Sequence, residues 1–190
     1  GNVNQMMLAP HGTDPAAAVG NALQILNIIT IALSAMGTAS TVLVTRVLGK
    51  SSATSKVSEI ATVALVVNVA LAAAMTAVLF LFWPQFFSWL HIDGSITGMA
   101  SSFLLIVGST TVVQGAFFAF TALLRSYARG ADVMRASLAM NAVNIAASAV
   151  LIGGVAFVPA FGVEGAAVAN VVARVAGLAV ACRLVLRHTD

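Results

Sequence analysis

Charge and cysteine are both scarce in this chain. Only 8% of its 190 residues are charged and 60% are hydrophobic, whereas a typical soluble domain has about 25% charged residues. The mean hydropathy is +1.02. The single cysteine, Cys182, excludes an internal disulfide, and we expect it to be an ordinary small buried residue. This composition excludes a soluble globular domain and predicts an integral membrane protein.

Motifs for several kinds of catalysis are missing as well. The sequence has no G-x-x-x-x-G-K-[ST] loop for ATP hydrolysis, and no H-E-x-x-H motif or paired cysteines for a metal. It has no G-x-S-x-G elbow, and no histidine at membrane depth could serve as the base of a membrane serine protease. We therefore predict no catalytic residue, no metal site, no cofactor and no enzyme activity.

Long apolar runs are what the chain does contain. They lie near 17–45, 57–83, 96–124, 133–154 and 164–186, and roughly 20 residues suffice to cross the hydrocarbon core. None alternates like a barrel strand, so all are interpreted as helices. The run at 1–9 is too short to span and does not resemble a signal peptide, so we expect the chain to be a fragment that begins partway down a helix. We predict an all-α membrane bundle of about six transmembrane helices, the first truncated. It occupies 1–190 as one domain, with helices near 16–48, 57–83, 96–125, 133–154 and 164–187.

Basic and acidic residues lie in alternate loops. Two loops and the end of the chain are basic, with Arg46, Lys50 and Lys56 in the first, Arg125, Arg129 and Arg135 in the second, and Arg183 and Arg187 at the end. The intervening loops hold Asp14, Asp93 and Glu164 without Lys or Arg. This pattern predicts a multi-pass protein of the cell inner (plasma) membrane, with the loops near 46–58 and 125–135 in the cytoplasm. It also predicts anionic lipids, rather than nucleic acid, as the partners of the positive charge.

Uncharged polar residues are scattered at membrane depth, where polar groups are costly unless they face a bundle interior or a watery cavity. They are Asn4, Gln24, Asn27, Asn68, Gln114, Asn141, Asn144, Ser148 and Asn170. The one deep charge is Arg174, about 15 Å beyond Glu164 by helical rise. No carboxylate is predicted at this depth.

Helical spacing gathers some of these residues onto shared faces. Asn144 and Ser148 are four apart on the fifth helix, and Asn170 and Arg174 are four apart on the sixth. We call the polar seam the set of residues predicted to bind substrate or a cation: Asn4, Gln24, Asn27, Asn144, Ser148, Asn170 and Arg174. For Asn21, Asn27, Asn68 and Asn141 taken singly, hydrogen bonding between helices is the favoured alternative to ligand contact.

Glycines and aromatic residues predict two further features. Gly115, at mid-span, could allow another backbone to approach closely, whereas the Gly94/Gly98 pair sits at a helix entrance and carries little weight. The third helix is predicted to end in an aromatic belt around Pro84, which anchors it at the membrane boundary.

Several segments resemble the MATE (multidrug and toxic compound extrusion) transporters. They are GNVNQMML at 1–8, AVGNALQI at 18–25, LRSY at 124–127, NI at 144–145 with LIG at 151–153, and PAFGVEGAAVAN at 159–170, followed by Arg174. The last segment is the most specific. The resemblance implies a twelve-helix transporter of two six-helix lobes, of which this chain is most of the first. The second lobe of the same polypeptide is then the missing partner.

The resemblance also implies a cation site, at positions that fall on Asn4, Asn144, Ser148 and Asn170. In the family's pattern an Asp stands at the first, an acidic or amide residue at the third and a Thr at the fourth. Ala128 and Val133 likewise depart from the family's usual Gly and Pro.

The function that this implies is secondary active transport. We expect export of small, often cationic, organic compounds by alternating access, as antiport with H⁺ or Na⁺. An amide cannot exchange a proton near neutral pH, so we expect the coupling group to lie in the missing lobe. Two alternatives stay open: a flippase for lipids or lipid-linked oligosaccharides from the same superfamily, and a membrane scaffold subunit that transports nothing.

Overall fold

The structure is a computed structural model that describes residues 13–50, 54–91, 94–153 and 161–187. Within those ranges the chain forms six α-helices: α1 Thr13–Lys50, α2 Thr54–Trp89, α3 Gly94–Ser109, α4 Thr111–Ser126, α5 Gly130–Gly153 and α6 Gly162–Leu186. No strand occurs in these ranges. The predicted all-α membrane bundle is therefore confirmed. The partial helix predicted at 1–9, which includes Asn4, lies outside the described residues.

Four helices are long and apolar enough to cross a membrane by themselves. These are α1, α2, α5 and α6, and a fifth span is formed if α3 and α4 are taken together. The described helices thus supply five spans, in line with the five long apolar runs of the sequence. Most of their bounds lie within three residues of the predicted ones, whereas α2 ends at Trp89, six residues beyond the predicted 83.

The predicted helix near 96–125 is broken in two. α3 and α4 are bent by 44° relative to each other. At the break, the Thr110 backbone N–H and hydroxyl both donate to the Val107 carbonyl, at 3.2 and 2.8 Å. The Ser109 hydroxyl donates to the Ile106 carbonyl at 2.7 Å. Such local bonds from Ser and Thr compete with the helical ladder and bend helices.

Pro84 does not end α2, contrary to the expectation from sequence. The helix continues through it to Trp89. Pro84 lacks the backbone N–H of a normal helical hydrogen bond, but it lies within the last two turns of the helix. Only a few helical hydrogen bonds follow it, so the disruption is small. The aromatic residues around it pack on one another, with T-shaped contacts between Trp83 and Phe87 at 5.5 Å and between Phe86 and Trp89 at 6.5 Å.

The broken span lies at the centre of the bundle. α1 packs against both of its halves, α2 packs mainly against α4, and α6 packs against both halves from the other side. α5 packs chiefly against α6. One apolar cluster surrounds α3 and includes Phe103 and Leu104, and a second surrounds Phe117 of α4. The break at Thr110 therefore falls between two apolar clusters.

Small residues bring the helices together at mid-span. A Cβ built on Gly115 of α4 would lie 2.6 Å from the Ala72 Cβ and 3.0 Å from the Asn68 backbone oxygen of α2. The predicted close approach of a backbone at Gly115 is thus confirmed. Asn68 is fully buried there and donates to the Ser40 hydroxyl of α1 at 3.0 Å. The prediction that Asn68 forms a hydrogen bond between helices is also confirmed.

The turn between α4 and α5 closes with a left-handed residue. The Arg129 N–H donates to the Leu124 carbonyl and the Ala128 N–H to the Arg125 carbonyl, both at 2.9 Å. This is the hydrogen-bond pattern of a Schellman motif, whose left-handed position usually holds glycine. Ala128 occupies it with φ 58°. The turn therefore carries a conformational cost of about 1–2 kcal/mol that a glycine would avoid.

Candidate functional site

The predicted seam residues fall into three groups by burial. Ser148 is fully buried, and Asn144, Asn170 and Arg174 are half-buried. Gln24 and Asn27 are exposed on α1. Asn4 lies outside the described residues. That all seven residues form one continuous site stays a prediction.

The register between α5 and α6 places the buried and half-buried seam residues of the two helices at matching depths. Gly177 of α6 meets Met140 of α5, and Gly165 meets Leu151. Because the two helices are antiparallel, this register puts Asn170 within about 2 Å of the depth of Ser148. Arg174 and Asn144 match in the same way, one turn further along. The structure thus brings four predicted residues into one stretch of the α5–α6 pair.

Arg174 reaches the break in the neighbouring span. One terminal nitrogen of its guanidinium, Nη1, donates to the Val107 carbonyl at 2.9 Å and to the Thr110 hydroxyl at 3.2 Å. The bend leaves the Val107 carbonyl able to accept from several donors, and the cation supplies one of them. Arg174 therefore fastens α6 to the point where α3 and α4 diverge.

Asn170 lies one turn before Arg174 on α6. Its side-chain nitrogen donates to the Ala166 carbonyl at 3.0 Å, which leaves Oδ1 and the second N–H of the amide for a ligand. Among the described residues, no hydrogen bond joins Asn144, Asn170 and Arg174 to one another. The side-chain amides of Asn144 and Asn170 are therefore not hydrogen-bonded to each other or to Arg174.

The electrostatics of the seam are set by Arg174. It is the only charged side chain of α5 and α6 that lies far from a helix end, and its two bonded partners are neutral. A positive charge lowers the affinity of any nearby cation and favours an anionic or electron-rich group. In the described residues, no group of three or more His, Cys, Asp or Glu could hold a metal ion. The α5–α6 part of the seam is thus suited to dipoles more than to a bare cation.

The exposed face of α1 is unusually polar for a membrane span. Gln24 and Asn27 lie on the side of α1 opposite its buried residues, among which are Ala22 and Leu26. A primary amide facing hydrocarbon is costly. We infer that this face meets water or another part of the protein, rather than lipid.

Sequence reasoning missed part of this face. Ser34, Thr38 and Thr45 follow Asn27 at intervals of seven, four and seven residues, which places them on one side of α1. Thr38 and Thr45 are exposed, and all three hydroxyls donate to α1 carbonyls. Their spacing along α1 is a signal for this polar stripe. Single Ser and Thr residues are common in membrane helices, however, and do not by themselves predict a functional face.

Two other residues of interest were also missed. The Thr110 hydroxyl accepts from Arg174, and its sequence signal is the Gly-Ser-Thr-Thr segment at 108–111, which interrupts an apolar run. Asp132, in the first turn of α5, is 4% exposed and pairs with Arg135 at 2.7 Å. Position 132 falls within the loop near 125–135 that the sequence predicts to be cytoplasmic. The chain therefore does bury a carboxylate, although it lies at a helix end rather than at mid-span.

Comparison with known proteins identifies the family. Residues 1–151 match the MatE family model. The chain is 33% identical over 178 residues to the uncharacterized transporter YisQ of Bacillus subtilis (strain 168), and the match covers 94% of this chain and 39% of that protein. The chain therefore spans about two fifths of the length of this relative.

Solved structures share the fold. The inward-facing conformation of a multidrug resistance MATE family transporter of the MOP superfamily superimposes with a TM-score of 0.82 at 18% identity, over 95% of this chain and 40% of the other. An outward-facing conformation of such a transporter superimposes with a TM-score of 0.84 at 20% identity, over 97% of this chain and 40% of the other. The family model covers well over half of the chain, and the fold agrees with it. The chain belongs to the MatE family, whose members are transporters.

Proposed function

We propose that the full-length protein is a secondary active transporter that exports small organic compounds by alternating access. The observation that carries this proposal is the family match over 1–151, together with the transporter fold. The same fold is found in structures described as inward-facing and as outward-facing. A lobe that keeps its fold in both states suits a mechanism in which lobes move against each other.

This chain would supply one wall of the transport cavity. Support comes from the polar face of α1 and from the amides and hydroxyl of the α5–α6 pair. These polar groups lie at membrane depth, where they are energetically costly unless they face a cavity or the protein interior. The other wall would come from a second lobe, since the chain spans about 40% of the transporters it resembles. The substrates proposed are small, often cationic, organic molecules. They would bind through amide and hydroxyl oxygens at a distance from Arg174, rather than through a buried acid.

The proposed orientation follows the charge pattern. The loops near 46–58 and 125–135 would lie in the cytoplasm and the protein in the cell's inner (plasma) membrane. A flippase and a non-transporting scaffold are not favoured, because the similar proteins are described as transporters.

Ion coupling would not depend on a carboxylate at membrane depth in this part of the chain. In the described spans, Asp14, Asp132 and Glu164 lie in the first turns of their helices, and Glu59 lies in the second turn of α2. Amide and hydroxyl oxygens can bind Na⁺ but cannot carry a proton near neutral pH. A proton-coupling group would therefore lie elsewhere in the polypeptide. A Na⁺ site here would be weak without a carboxylate, so we place Na⁺ coupling elsewhere too.

The test is efflux of a fluorescent organic cation by the full-length protein in membrane vesicles. Dissipating one ion gradient should abolish efflux, and dissipating the other should leave it unchanged. Asn4→Asp should add a pH dependence, because a carboxylate at that position can exchange a proton. Efflux that persists without either gradient would show that the proposed ion coupling is wrong.

The polar seam can be tested in the same assay. Replacing Asn144 and Asn170 together by alanine should lower efflux roughly fivefold, since one polar contact in a membrane is worth about 1 kcal/mol. Val172→Ala, on the exposed side of α6, is the matched control. Unchanged efflux in the double variant would leave the seam with a packing role only.

A further inference from the structure

A concave site rich in arginine lies away from the polar seam, where α5 begins and α6 ends. We call it the arginine pocket. It has a volume of about 500 Å³ and its charged lining consists of Arg129, Asp132, Arg135 and Arg187. Leu184 and small alanine side chains line the rest. Nothing in the proposed transport mechanism uses these residues.

The charges of the pocket do not balance. Asp132 is the only acid in the lining, and its carboxylate accepts from Arg135 Nη1 at 2.7 Å. The Asp132 side chain is 6% exposed, whereas that of Arg135 is 69% exposed. Arg129 and Arg187 add two further guanidinium groups, each with five N–H donors. The lining as a whole is therefore positively charged and rich in donors, which is the requirement for binding an anion with several oxygens.

The backbone that carries the arginines is ordered. Arg129 is the last residue of the Schellman turn, and its carbonyl accepts the Asp132 N–H at 3.1 Å. The Arg187 N–H donates to the Arg183 carbonyl at 3.1 Å, which extends the end of α6. A charged group bound here would meet side chains whose Cα positions are already fixed. Such preorganisation lowers the entropic cost of binding.

The surroundings favour a lipid over a small soluble anion. α5 and α6 are membrane spans, so the pocket lies at the boundary of the hydrocarbon. An exposed apolar stripe leads from it along α5, formed by Met134, Leu138 and Ile145, which are 59%, 58% and 47% exposed. Leu138 follows Arg135 by three residues and so lies one turn deeper on the same side. A phospholipid with its phosphate among the arginines would lay its acyl chains on this stripe.

We propose that the arginine pocket binds the phosphate of an anionic phospholipid, with Arg129 and Arg187 as its principal partners. Arg135 contributes while Asp132 holds its side chain in place. Basic pockets between transmembrane helices bind anionic headgroups in other membrane proteins. This site is independent of the transported substrate, and the proposal does not rest on the transport mechanism.

The test measures binding of phosphatidylglycerol to the purified full-length protein by native mass spectrometry. Changing Arg129 and Arg187 together to glutamine should weaken the apparent affinity roughly thirtyfold, at about 1 kcal/mol for each arginine near the headgroup. Arg183→Gln is the matched control, because Arg183 is exposed in the last turn of the same helix but does not line the pocket. That variant should bind the lipid like the unchanged protein. Equal thermal unfolding of all three proteins would show that the loss is not one of folding.

Two further arms identify the source of the phosphate. Phosphatidylcholine should bind more weakly than phosphatidylglycerol, and inorganic phosphate should not displace the bound lipid at comparable concentration. If phosphate displaces it, the pocket takes a small anion and the lipid proposal is overturned. If Arg183→Gln weakens binding as much as the double variant, attraction is spread over the surface and no specific site exists.

Discussion

Replacing Arg174 by methionine in the full-length protein should lower efflux roughly tenfold or more. The guanidinium joins α6 to the Val107 carbonyl and the Thr110 hydroxyl at the break between α3 and α4. Without it, α6 loses its polar attachment to the central span, and the seam loses its only mid-span charge. A loss of about 1.4 kcal/mol in the transport-competent arrangement corresponds to about tenfold in rate. The measurement is initial efflux rate normalised to folded protein.

The same substitution should change stability much less. A charged hydrogen-bond donor contributes about 1.5–3 kcal/mol per bond. Holding an arginine at membrane depth costs about 2.5–3.5 kcal/mol on insertion scales. Because these terms largely offset each other, we expect the thermal midpoint of the Arg174→Met protein to lie close to that of the unchanged one. A large fall in the midpoint with unchanged activity per folded molecule would make Arg174 a structural group only.

Thr110→Val shows whether Arg174 acts through the break. It removes the hydroxyl that both bonds Val107 and accepts from Arg174, with little change of shape. If the two residues act together, the double variant should be no slower than Arg174→Met alone, because the shared contact is already lost. If the double variant loses the sum of the two single-variant effects on efflux, Arg174 does not act through its contact with Thr110. Arg183→Gln, which changes an exposed arginine on the same helix, should be neutral.

Gly165→Ala should sharply reduce the amount of folded protein. A Cβ at Gly165 would overlap the Leu151 backbone carbonyl of α5, with its carbonyl carbon at 2.8 Å. That carbonyl already accepts the Phe161 N–H at 3.0 Å, so it cannot move aside without loss of a bond. Overpacking combined with a lost hydrogen bond gives an expected cost of about 2–4 kcal/mol. Thermal unfolding in detergent, with the monodisperse fraction on size exclusion, measures this cost.

Gly98→Ala is the matched control for that substitution. It changes another helical glycine, but no atom lies within 4 Å of the added Cβ. We expect Gly98→Ala to unfold at the same temperature as the unchanged protein or slightly above it, since alanine is the better helix former. If Gly165→Ala is equally harmless, α5 and α6 approach each other less closely than the structure indicates.

The membrane spans were predictable because hydrocarbon imposes a simple requirement on sequence. Each span needs about 20 apolar residues, and the runs that begin near 17, 57, 133 and 164 each correspond to one helix. The close approach at Gly115 was predictable for a related reason, since only a residue without a side chain fits there. Gly98 lies at a helix entrance and was predicted to matter little for helix packing. The structure agrees, because no atom of a neighbouring helix lies within 4 Å of a Cβ added at Gly98.

The break at Thr110 was not predicted, although the sequence carries a sign of it. Gly108, Ser109, Thr110 and Thr111 interrupt the apolar run 96–124 at this point, and Gly/Ser pairs are a common cause of helix kinks. The bend depends on hydroxyl-to-carbonyl bonds of Ser109 and Thr110 and on a guanidinium that arrives from a helix 64 residues away. Helical rise predicted that Arg174 lies at membrane depth, but the sequence could not identify its partners on another span.

Asp132 shows a different limit of the sequence. It lies within the basic loop predicted near 125–135, yet its side chain is only 6% exposed and pairs with Arg135. The direction in which the preceding turn closes depends on one left-handed residue, Ala128, and Ala is an uncommon choice there. The arginine pocket follows from that turn and could not be found from charge spacing alone.

The central claim is that the polar seam lines a water-filled cavity in a transporter, and cysteine labelling tests it most directly. In full-length protein with every native cysteine, including Cys182, changed to serine, a single cysteine replaces Asn170 or, as control, Val172 on the exposed side of α6. We expect a membrane-impermeant maleimide to label position 170, transported substrate to slow that labelling, and position 172 to stay unreactive in lipid. Labelling that is equal at the two positions, or absent at 170, would contradict the claim.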